Sequence, residues 1–481
     1  MKVLFTNAYF YRLDEKQWQL QKPYPPYGTI VAAAVARKDG HEVTLFDSSL
    51  ETSPDNIQPI IAQVQPAYFV VYDDNFNYLS KMCLTIMRSA CIKMMAHAKT
   101  AGCKILVNSP DATDNPLLYL EAGADVVMNG EAELTLLELL QGDTPIEQCL
   151  GISYLANKQL ITNPKRQVLT NLELLPMPAW DLINIYNYRS IWMQHHGYFS
   201  LNIATTRGCP FKCNWCAKPI YGNRYNTRDA ESVVAELKML YTEYDASHYW
   251  ICDDIFGLKP GWVRAFNQHL QATAITPKLK IQCRADLLLK EDTIQNLVEA
   301  GLDEVWMGAE SGSQKVLDAM DKGTTIQQIY DATKLLKKYG VKVCLFLQYG
   351  YLGEEASDID LTLQMVKDLL PHDIGISVSY PLPGTGFYNK VKAQLKEKQN
   401  WTDSDDLAMM YQSTFTPNFY KHLYSHTHKE FHLQKSKFSI RNLGKSLREK
   451  DIIQLKTAGK LPYYWLGKKW SSFKLKQLQN Q

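Results

Sequence analysis

The sequence lacks a run of about 20 apolar residues, which excludes a chain that crosses a bilayer as a helix. Its first residues, MKVLFTNAYF, lack the apolar core and cleavage site of a signal peptide, so we expect a cytoplasmic protein. The ten cysteines lack the paired spacing of a disulfide framework, which indicates reduced thiols. Repeats of solenoid length and low-complexity segments are also absent, so we expect globular domains.

Net charge is low, at +2, but it is unevenly distributed. Residues 435–481 contain twelve Lys and Arg against only Glu449 and Asp451. Such a segment could contact an anionic membrane surface, an acidic partner or nucleic acid, although nucleic acid is not expected here. We favour a solvated helical segment, because five aromatic residues in it suggest packing. These aromatic residues are Tyr463, Tyr464, Trp465, Trp470 and Phe473.

Apolar runs alternate with helical patterns in two blocks, as expected for a chain of 481 residues, which is too long for one core. The first block predicts an α/β domain with a doubly wound, Rossmann-like parallel sheet. Its strands are expected at residues 3–6, 43–46, 68–72, 104–107 and 125–128. Ligands bind such sheets beyond the carboxyl ends of the strands.

The second block contains six further strand patterns that also alternate with helical ones. They are expected at residues 201–205, 248–252, 280–283, 304–308, 342–348 and 374–379. Between the blocks, the sequence predicts a hairpin and then a linker stiffened by Pro176 and Pro178. We expect a domain at 1–150, the hairpin and linker at 151–190, a second domain at 191–395 and a basic helical segment at 396–481.

Three cysteines follow the first strand of the second block, in the spacing Cys209-x3-Cys213-x2-Cys216. Three thiolates on one loop can hold three irons of a 4Fe-4S cube and leave the fourth iron open to a small molecule. Structural zinc and unrelated cysteines are the alternatives. Structural zinc needs a fourth ligand, and no His or Cys follows Cys216 before His248. The spacing therefore favours an iron-sulfur cluster with an open iron.

The segment LNIATTRGCPFKCNWCAKPIYG resembles the cluster loop of radical S-adenosylmethionine enzymes. The resemblance implies that 191–395 form a partial (β/α)6 barrel with its active site at the carboxyl ends of the strands. It also implies that S-adenosylmethionine chelates the open iron. One electron from the cluster then yields a 5'-deoxyadenosyl radical.

The resemblance extends to the motifs ICDDIF, IQCRAD, MGAESGSQ, LQYGYLGEE and YPLPGTGFY at later strand ends. The resemblance implies that seven residues of these motifs bind S-adenosylmethionine or substrate. They are Asp253, Asp254, Arg284, Glu310, Ser311, Gln348 and Pro383. The aspartates are implied to bind the amino group, and a divalent metal is their alternative. Arg284 is implied to bind the methionyl carboxylate, and a surface salt bridge is its alternative.

The first block resembles the cobalamin-binding domain that precedes the barrel in one branch of this family. PYPPYGTIVAAAVARKDGHEVTLFD and EAGADVVMNGEAELTLLELL carry that resemblance. The Asp-x-His-x-x-Gly motif that supplies a histidine to cobalt is absent, which implies cobalamin held without an imidazole ligand. A vestigial or substrate-binding domain is the alternative. Residues of the strand-end loops expected to contact the corrin are Tyr27, Gly28, Asp73, Asn75 and Ser109.

These resemblances predict a cobalamin-dependent radical enzyme that methylates an unactivated carbon. Its implied partners are a small-molecule or peptide substrate and an electron donor such as flavodoxin or ferredoxin. A radical cyclase like the anaerobic magnesium-protoporphyrin ester cyclases is an alternative, and a non-catalytic cobalamin or redox sensor is another. Residues 401–420 are expected to help to select the substrate, whose identity the sequence leaves open.

Overall fold

A computed structural model of the chain describes residues 1–218, 220–395, 398, 400–441 and 452–479. Residues 442–451, part of the expected basic helical segment, lie outside the described residues. Two sheets organise the fold, one in each predicted block. Among the described residues, no helix combines the length and the apolar character that crossing a membrane requires.

The N-terminal sheet has seven strands in the order β2-β1-β3-β4-β5-β6-β7. They are β1 Lys2–Thr6, β2 Glu42–Phe46, β3 Tyr68–Tyr72, β4 Lys104–Asn108, β5 Val126–Met128, β6 Ile152–Ala156 and β7 Gln159–Thr162. The first five pair in parallel, which confirms the doubly wound sheet. Its helices are α1 Glu15–Leu20, α2 Tyr27–Lys38, α3 Gln58–Val64, α4 Tyr78–Lys81, α5 Thr85–Thr100, α6 Pro110–Asp114, α7 Pro116–Glu121 and α8 Glu133–Gln141.

The hairpin β6–β7 does not lie where the sequence predicts it. The sequence predicts it in the linker, but β6 pairs antiparallel with β5 and extends the first sheet. The expected boundary after residue 150 therefore falls inside a continuous sheet. Burial is the physical reason: Ile152 and Ser153 are fully enclosed, and pairing with Met128 and Val127 of β5 helps to satisfy their backbone groups.

The second sheet contains six parallel strands in the order β8-β11-β12-β13-β14-β15, as expected for a partial barrel. These strands are β8 Ser200–Ile203, β11 His248–Ile251, β12 Lys278–Cys283, β13 Leu302–Glu310, β14 Lys342–Tyr349 and β15 Asp373–Val378. A short ribbon pairs β9 Thr206–Arg207 with β10 Asn226–Thr227. The helices are α9 Ile185–His196, α10 Ala230–Tyr244, α11 Pro260–Gln271, α12 Ala285–Leu288, α13 Thr293–Glu299, α14 Gln314–Ala319, α15 Ile326–Lys338, α16 Ala356–Leu369 and α17 Gly386–Val391.

The C-terminal region connects both sheets. Trp401 is buried in the N-terminal core and packs edge-on against Tyr380. Ser404 Oγ donates a hydrogen bond of 2.7 Å to Asp14 Oδ1. The chain then forms α18 Pro417–Arg441, α19 Ile452–Gly459 and α20 Leu461–Gln479. Because α18 packs on the barrel while Trp401 packs on the first domain, this region fixes the two domains to each other.

Candidate active site

The cysteine loop lies at the carboxyl end of β8, where barrel active sites form. The ribbon β9–β10 closes its base. Gly208 lies within that base with φ of 79°, and a Cβ there would approach the Arg224 carbonyl oxygen to 2.5 Å. Only glycine fits such a position, so the tight closure of the loop is built into the sequence. Cys209, Cys213 and Cys216 are all half-buried.

The three thiols lie near one another in a desolvated setting. Burial raises the pKa of Cys209, and it raises the pKa of Cys216 to about 11. The neighbouring thiols raise the pKa of Cys216 further, while the Lys218 ammonium opposes the rise. Within the described residues, no three His, Cys, Asp or Glu side chains are arranged as a ready metal site. The donor chemistry fits a cluster, since binding to iron would remove the thiol protons.

Arg284 holds the cysteine loop from the side of β12. Its guanidinium lies 3.7 Å from the centre of the Phe211 ring, and its Nη1 lies 3.9 Å from Cys213 Sγ. It also donates to the Asp286 carboxylate at 2.9 Å and to the Lys322 carbonyl at 2.7 Å. Arg284 is only 5% exposed, so its salt bridge with Asp286 is largely buried and not a surface pair. Because protein groups already occupy its donors, we assign Arg284 to positioning the loop.

The two predicted aspartates have different partners. Asp253 is buried and accepts hydrogen bonds from the backbone N–H groups of Thr205, at 2.7 Å, and Thr206, at 3.0 Å. It therefore shapes the end of β8, and burial raises its pKa to about 6. Asp254 instead pairs with Lys81, which belongs to helix α4 of the N-terminal domain. The Asp254 charge also raises the pKa of Cys216, so this carboxylate lies within electrostatic reach of the cysteine loop.

Glu310 ends β13 with an unusual backbone. Its φ of 60° lies in the left-handed region, at an irregularity in the pairing of β13 with β14. Lys322 Nζ donates to Glu310 Oε1 at 2.8 Å, and both groups are buried. A Cβ on Gly308 would approach each of these atoms to 2.7 Å, so glycine leaves room for the pair. Strained backbone that is held in place this firmly is typical of functional sites.

The remaining predicted barrel residues differ in how their polar groups are satisfied. Ser311 Oγ lies 3.2 Å from Thr362 Oγ1, so it has an internal partner. Gln348 is buried, and its Oε1 has no hydrogen-bond partner in the part of the chain that the structure describes. Pro383 is half-buried after β15. A buried amide oxygen without a donor fits a ligand that supplies one.

Tyr27 begins α2 directly before Gly28, and its hydroxyl belongs to an interdomain network. Its hydroxyl donates to Glu236 Oε2 at 3.2 Å and accepts from Arg228 Nη1 at 3.0 Å. Trp180 Nε1 donates to the other oxygen of Glu236 at 2.9 Å. Burial and the Glu236 charge raise the pKa of Tyr27. The hydroxyl of this expected corrin contact is therefore engaged with the barrel helix α10.

Gly28, Asp73 and Asn75 do lie together at the carboxyl edge of the first sheet. Gly28 N donates to Asp74 Oδ1 at 3.0 Å, and Asn75 Nδ2 donates to Asn108 Oδ1 at 2.8 Å. Burial raises the pKa of Asp73 to about 6 and that of Asp74 to about 7. Asn75 Oδ1 is buried with no partner among the described residues, which fits a ligand rich in amide groups such as a corrin.

Ser109 caps a helix at this edge, and a separate cavity lies between the two domains. Ser109 Oγ accepts from Ala112 N at 2.9 Å, so it caps α6. A cavity of about 210 Å³ opens where Tyr27, Phe76, Pro178 and Arg207 meet. Ligand sites usually measure roughly 300–1,000 Å³, so this cavity suits a small group rather than a whole corrinoid.

The ion pairs between the two domains are not predicted from the sequence. Arg207 is buried and pairs with Glu131 and with Glu133, at 2.6 Å to the latter. Lys81, which pairs with Asp254, lies on a helix of four residues. Arg207 directly precedes Gly208, and Glu131 directly follows Gly130. Neither position carries a local pattern that predicts the pairing of these two residues.

Comparison with known proteins agrees with this geometry. Residues 203–366 match the model of the radical SAM superfamily, where SAM stands for S-adenosylmethionine. An uncharacterized methyltransferase of Pyrococcus horikoshii is 26% identical over 385 residues, which cover 78% of this chain and 81% of that protein. The anaerobic magnesium-protoporphyrin IX monomethyl ester cyclase of Cereibacter sphaeroides is 24% identical over 286 residues. That alignment covers 56% of this chain and 45% of the cyclase.

The fold is similar to that of OxsB, described as a cobalamin-dependent S-adenosylmethionine radical enzyme, in its aqua-cobalamin complex. The TM-score is 0.71 at 16% identity, and the likeness covers 99% of this chain and 80% of OxsB. At that identity the likeness concerns the fold, and it includes both the doubly wound domain and the partial barrel.

Proposed function

We propose that the chain, whose residues 203–366 match the model of the radical SAM superfamily, is a cobalamin-dependent radical enzyme that methylates an unactivated carbon. The observation that carries this proposal is the position of the cysteine loop at the carboxyl end of β8, within electrostatic reach of Asp254, which pairs with Lys81 of the N-terminal domain. Similarity to a methyltransferase along most of both chains supports the methyl transfer. The likeness of both domains to OxsB supports the use of cobalamin.

The proposed cofactors are a 4Fe-4S cluster, S-adenosylmethionine and cobalamin. When bound, the cluster supplies one electron that cleaves S-adenosylmethionine to methionine and a 5'-deoxyadenosyl radical, and methylated cobalamin supplies the methyl group. Cys209, Cys213 and Cys216 would hold the cluster. Arg284 would keep the loop in place through Phe211 and the backbone near Lys322.

The barrel edge would hold S-adenosylmethionine next to the cluster. In the proposed complex the Asp254 carboxylate accepts a hydrogen bond from the amino group, and Lys81 orients that carboxylate. Glu310, fixed by Lys322, and Gln348, whose Oε1 has no partner among the described residues, offer acceptors to the ribose and the methionyl part. Such fixed acceptors favour a near-attack arrangement because they need little reorganisation when the ligand binds.

The N-terminal edge would face the corrin. Gly28 allows the loop that contains Asn75 to approach α2 closely, because a Cβ on Gly28 would lie 3.1 Å from Asn75 N. Asn75 Oδ1 is available to an amide donor of the corrin. The described residues of 401–411 run from the N-terminal core to the Gly350 loop, where the Tyr411 hydroxyl donates to the Gly350 carbonyl oxygen. A segment that bridges both edges is well placed to select a substrate.

The proposal is tested by the products of the anaerobically reconstituted protein with a chemical reductant. S-adenosylmethionine should yield 5'-deoxyadenosine slowly without substrate, and protein from cobalamin-fed cells should show corrinoid absorption. With a substrate, 5'-deoxyadenosine and S-adenosylhomocysteine should form in comparable amounts, with a product one methylene heavier. Protein that retains a cluster but never forms 5'-deoxyadenosine would contradict the proposal. In cells, flavodoxin or ferredoxin would supply the electron.

A radical cyclase is the second candidate, favoured by the similarity to the Cereibacter sphaeroides cyclase. The chain spans about half the length of that relative. A cyclase would give 5'-deoxyadenosine without S-adenosylhomocysteine, and its product would lose hydrogen. A non-catalytic sensor is disfavoured, because a sensor does not need hydrogen-bond acceptors that would hold S-adenosylmethionine at an open iron.

A further inference from the structure

Helix α20 presents an apolar stripe to solvent. Tyr463, Leu466, Trp470 and Phe473 are 69%, 61%, 54% and 59% exposed. They recur every three or four residues, so they share one face of the helix. The sequence expectation that these aromatic residues pack is therefore wrong for Tyr463, Trp470 and Phe473, and it is also wrong for Trp465, which is 44% exposed. A row of large exposed apolar side chains marks an interaction site more often than a neutral surface.

The opposite face of α20 is fixed to α18. Ser471 is buried, and its hydroxyl lies 2.9 Å from His426 Nδ1. Tyr464 stacks on His432 with ring centres 5.1 Å apart. The helix is therefore anchored by its polar and half-buried side while its apolar stripe faces outward.

The surroundings of the stripe are strongly basic. Residues 452–479 contain six lysines and no acid. The single acid of α18, Glu430, is buried and pairs with Lys468. Lys469 Nζ lies 3.8 Å from the Trp465 ring centre, and Lys429 Nζ lies 5.3 Å from that of Trp470. Exposed aromatic rings and ammonium groups thus alternate on the same surface.

This combination favours one occupant. A second copy of the chain would bring an equally basic helix to the stripe, and the like charges would repel. An acidic protein or a nucleic acid would match the charge without explaining a continuous apolar row. Tyrosine and tryptophan favour the interface between lipid headgroups and acyl chains, and lysines are drawn to anionic headgroups.

We propose that α20 docks the protein on the surface of an anionic lipid bilayer. Leu466, Trp470 and Phe473 enter the interfacial layer, and the flanking Lys469 and Lys476 contact the headgroups. The helix lies in the plane of the membrane and does not cross it. The proposal concerns where the enzyme acts, so it stands apart from the reaction proposed above.

Sedimentation of the full-length protein with vesicles tests this docking. We expect binding to vesicles of phosphatidylcholine with phosphatidylglycerol, little binding to phosphatidylcholine alone, and weaker binding in high salt. Lys469→Glu with Lys476→Glu should weaken binding by about tenfold or more. Trp470→Ser with Phe473→Ser should weaken it similarly, because less apolar area enters the interface. The matched control reverses two exposed lysines elsewhere, Lys158→Glu with Lys338→Glu, and should bind as the parent does.

Several outcomes would overturn the proposal. Absence of sedimentation with either vesicle, or equal binding by the α20 variants and the control, excludes lipid docking. A concentration-dependent dimer that Trp470→Ser with Phe473→Ser abolishes would identify a second copy as the occupant. A large fall in the Tm of that double variant would show that the stripe is covered within the chain. Tighter binding to a nucleic acid duplex than to the vesicles would reassign the surface.

Discussion

The carboxyl edges of the two sheets are stabilised in different ways. At the barrel edge, oppositely charged groups pair, within the barrel as Glu310 with Lys322 and between the domains as Asp254 with Lys81. At the N-terminal edge, neighbouring loops satisfy one another, as in Gly28 with Asp74. The barrel edge therefore depends in part on a pair that domain docking completes, while the other edge is largely formed within its own domain. Charge pairs suit radical chemistry on a charged ligand, and a dense amide edge suits a large neutral ring.

The largest effect should come from the cysteine loop. Replacing Cys209, Cys213 and Cys216 together by alanine should abolish both the charge-transfer absorption of the cluster and the reductive cleavage of S-adenosylmethionine, because no thiolate remains for iron. Iron content and 5'-deoxyadenosine formation are the measurements. Cys344→Ala, at a buried strand position away from the loop, is the control and should keep both. Iron sufficient for one cube in the triple variant would contradict the assignment.

The interdomain pair at Arg207 should come next. Arg207→Met leaves the buried carboxylates of Glu131 and Glu133 without their cation, so the free energy of unfolding should fall by about 3–5 kcal/mol. Arg37→Met is the control, because its partner Asp181 is exposed and such pairs contribute about 0–1 kcal/mol. Urea unfolding measures both. Equal losses in the two variants would show that burial does not govern this contact.

The sequence predicts local features of this molecule better than distant ones. The strands of both sheets could be predicted because each is a short apolar run between turn signals, as YFVVY in β3. The cysteines could be predicted because all three lie within one loop. The hairpin β6–β7 is predicted in the linker, because no local pattern indicates which sheet a hairpin joins.

Side-chain partners were harder to predict for the same reason. Lys81 and Asp254 are 173 residues apart, and no local pattern joins them. Tyr27 lies at a strand-end loop in the sequence, yet its hydroxyl bonds to Glu236 of another domain. The chemistry of Arg284 predicts a ligand carboxylate as its partner, and its position in the fold also gives it Asp286 and two carbonyl groups.

The pair of Lys81 with Asp254 tests whether the barrel edge needs the other domain. Lys81→Ala should slow 5'-deoxyadenosine formation by about 10–100-fold, because Asp254 loses the cation that orients it beside the cysteine loop. Lys81→Arg should restore part of the rate. Lys93→Ala, whose partner Asp55 is exposed, is the matched control and should leave the rate unchanged. Full activity of Lys81→Ala with an intact cluster would separate the two domains functionally.

The crowding of the N-terminal edge should appear as a smaller effect. In Gly28→Ala the new Cβ would lie 3.1 Å from Asn75 N and 3.3 Å from the Asp73 carbonyl oxygen, so the free energy of unfolding should fall by about 1–3 kcal/mol. Gly261→Ala in α11 is the control, since its Cβ would meet nothing within 4 Å. That control should be neutral or slightly stabilising. Corrinoid content after purification should fall in Gly28→Ala alone.

The smallest effect concerns the protonation of the same edge. Burial raises the pKa of Asp74 from an ordinary 3.8 to about 7, so the folded protein binds this proton more tightly than the unfolded chain. Stability from Asp74 therefore increases as the pH falls from about 8 towards 4, by at most about 1.4 kcal/mol per pH unit. Asp74→Asn keeps an acceptor for Gly28 N but cannot titrate, so it should be more stable than the parent at about pH 8, with a difference that shrinks by about pH 6. Urea midpoints at both pH values measure this difference.

Asp181→Asn is the control, because the Arg37 guanidinium lowers the pKa of Asp181 and keeps it ionised across that window. A difference for Asp74→Asn that does not vary with pH would show that the Asp74 carboxyl remains ionised in the folded protein.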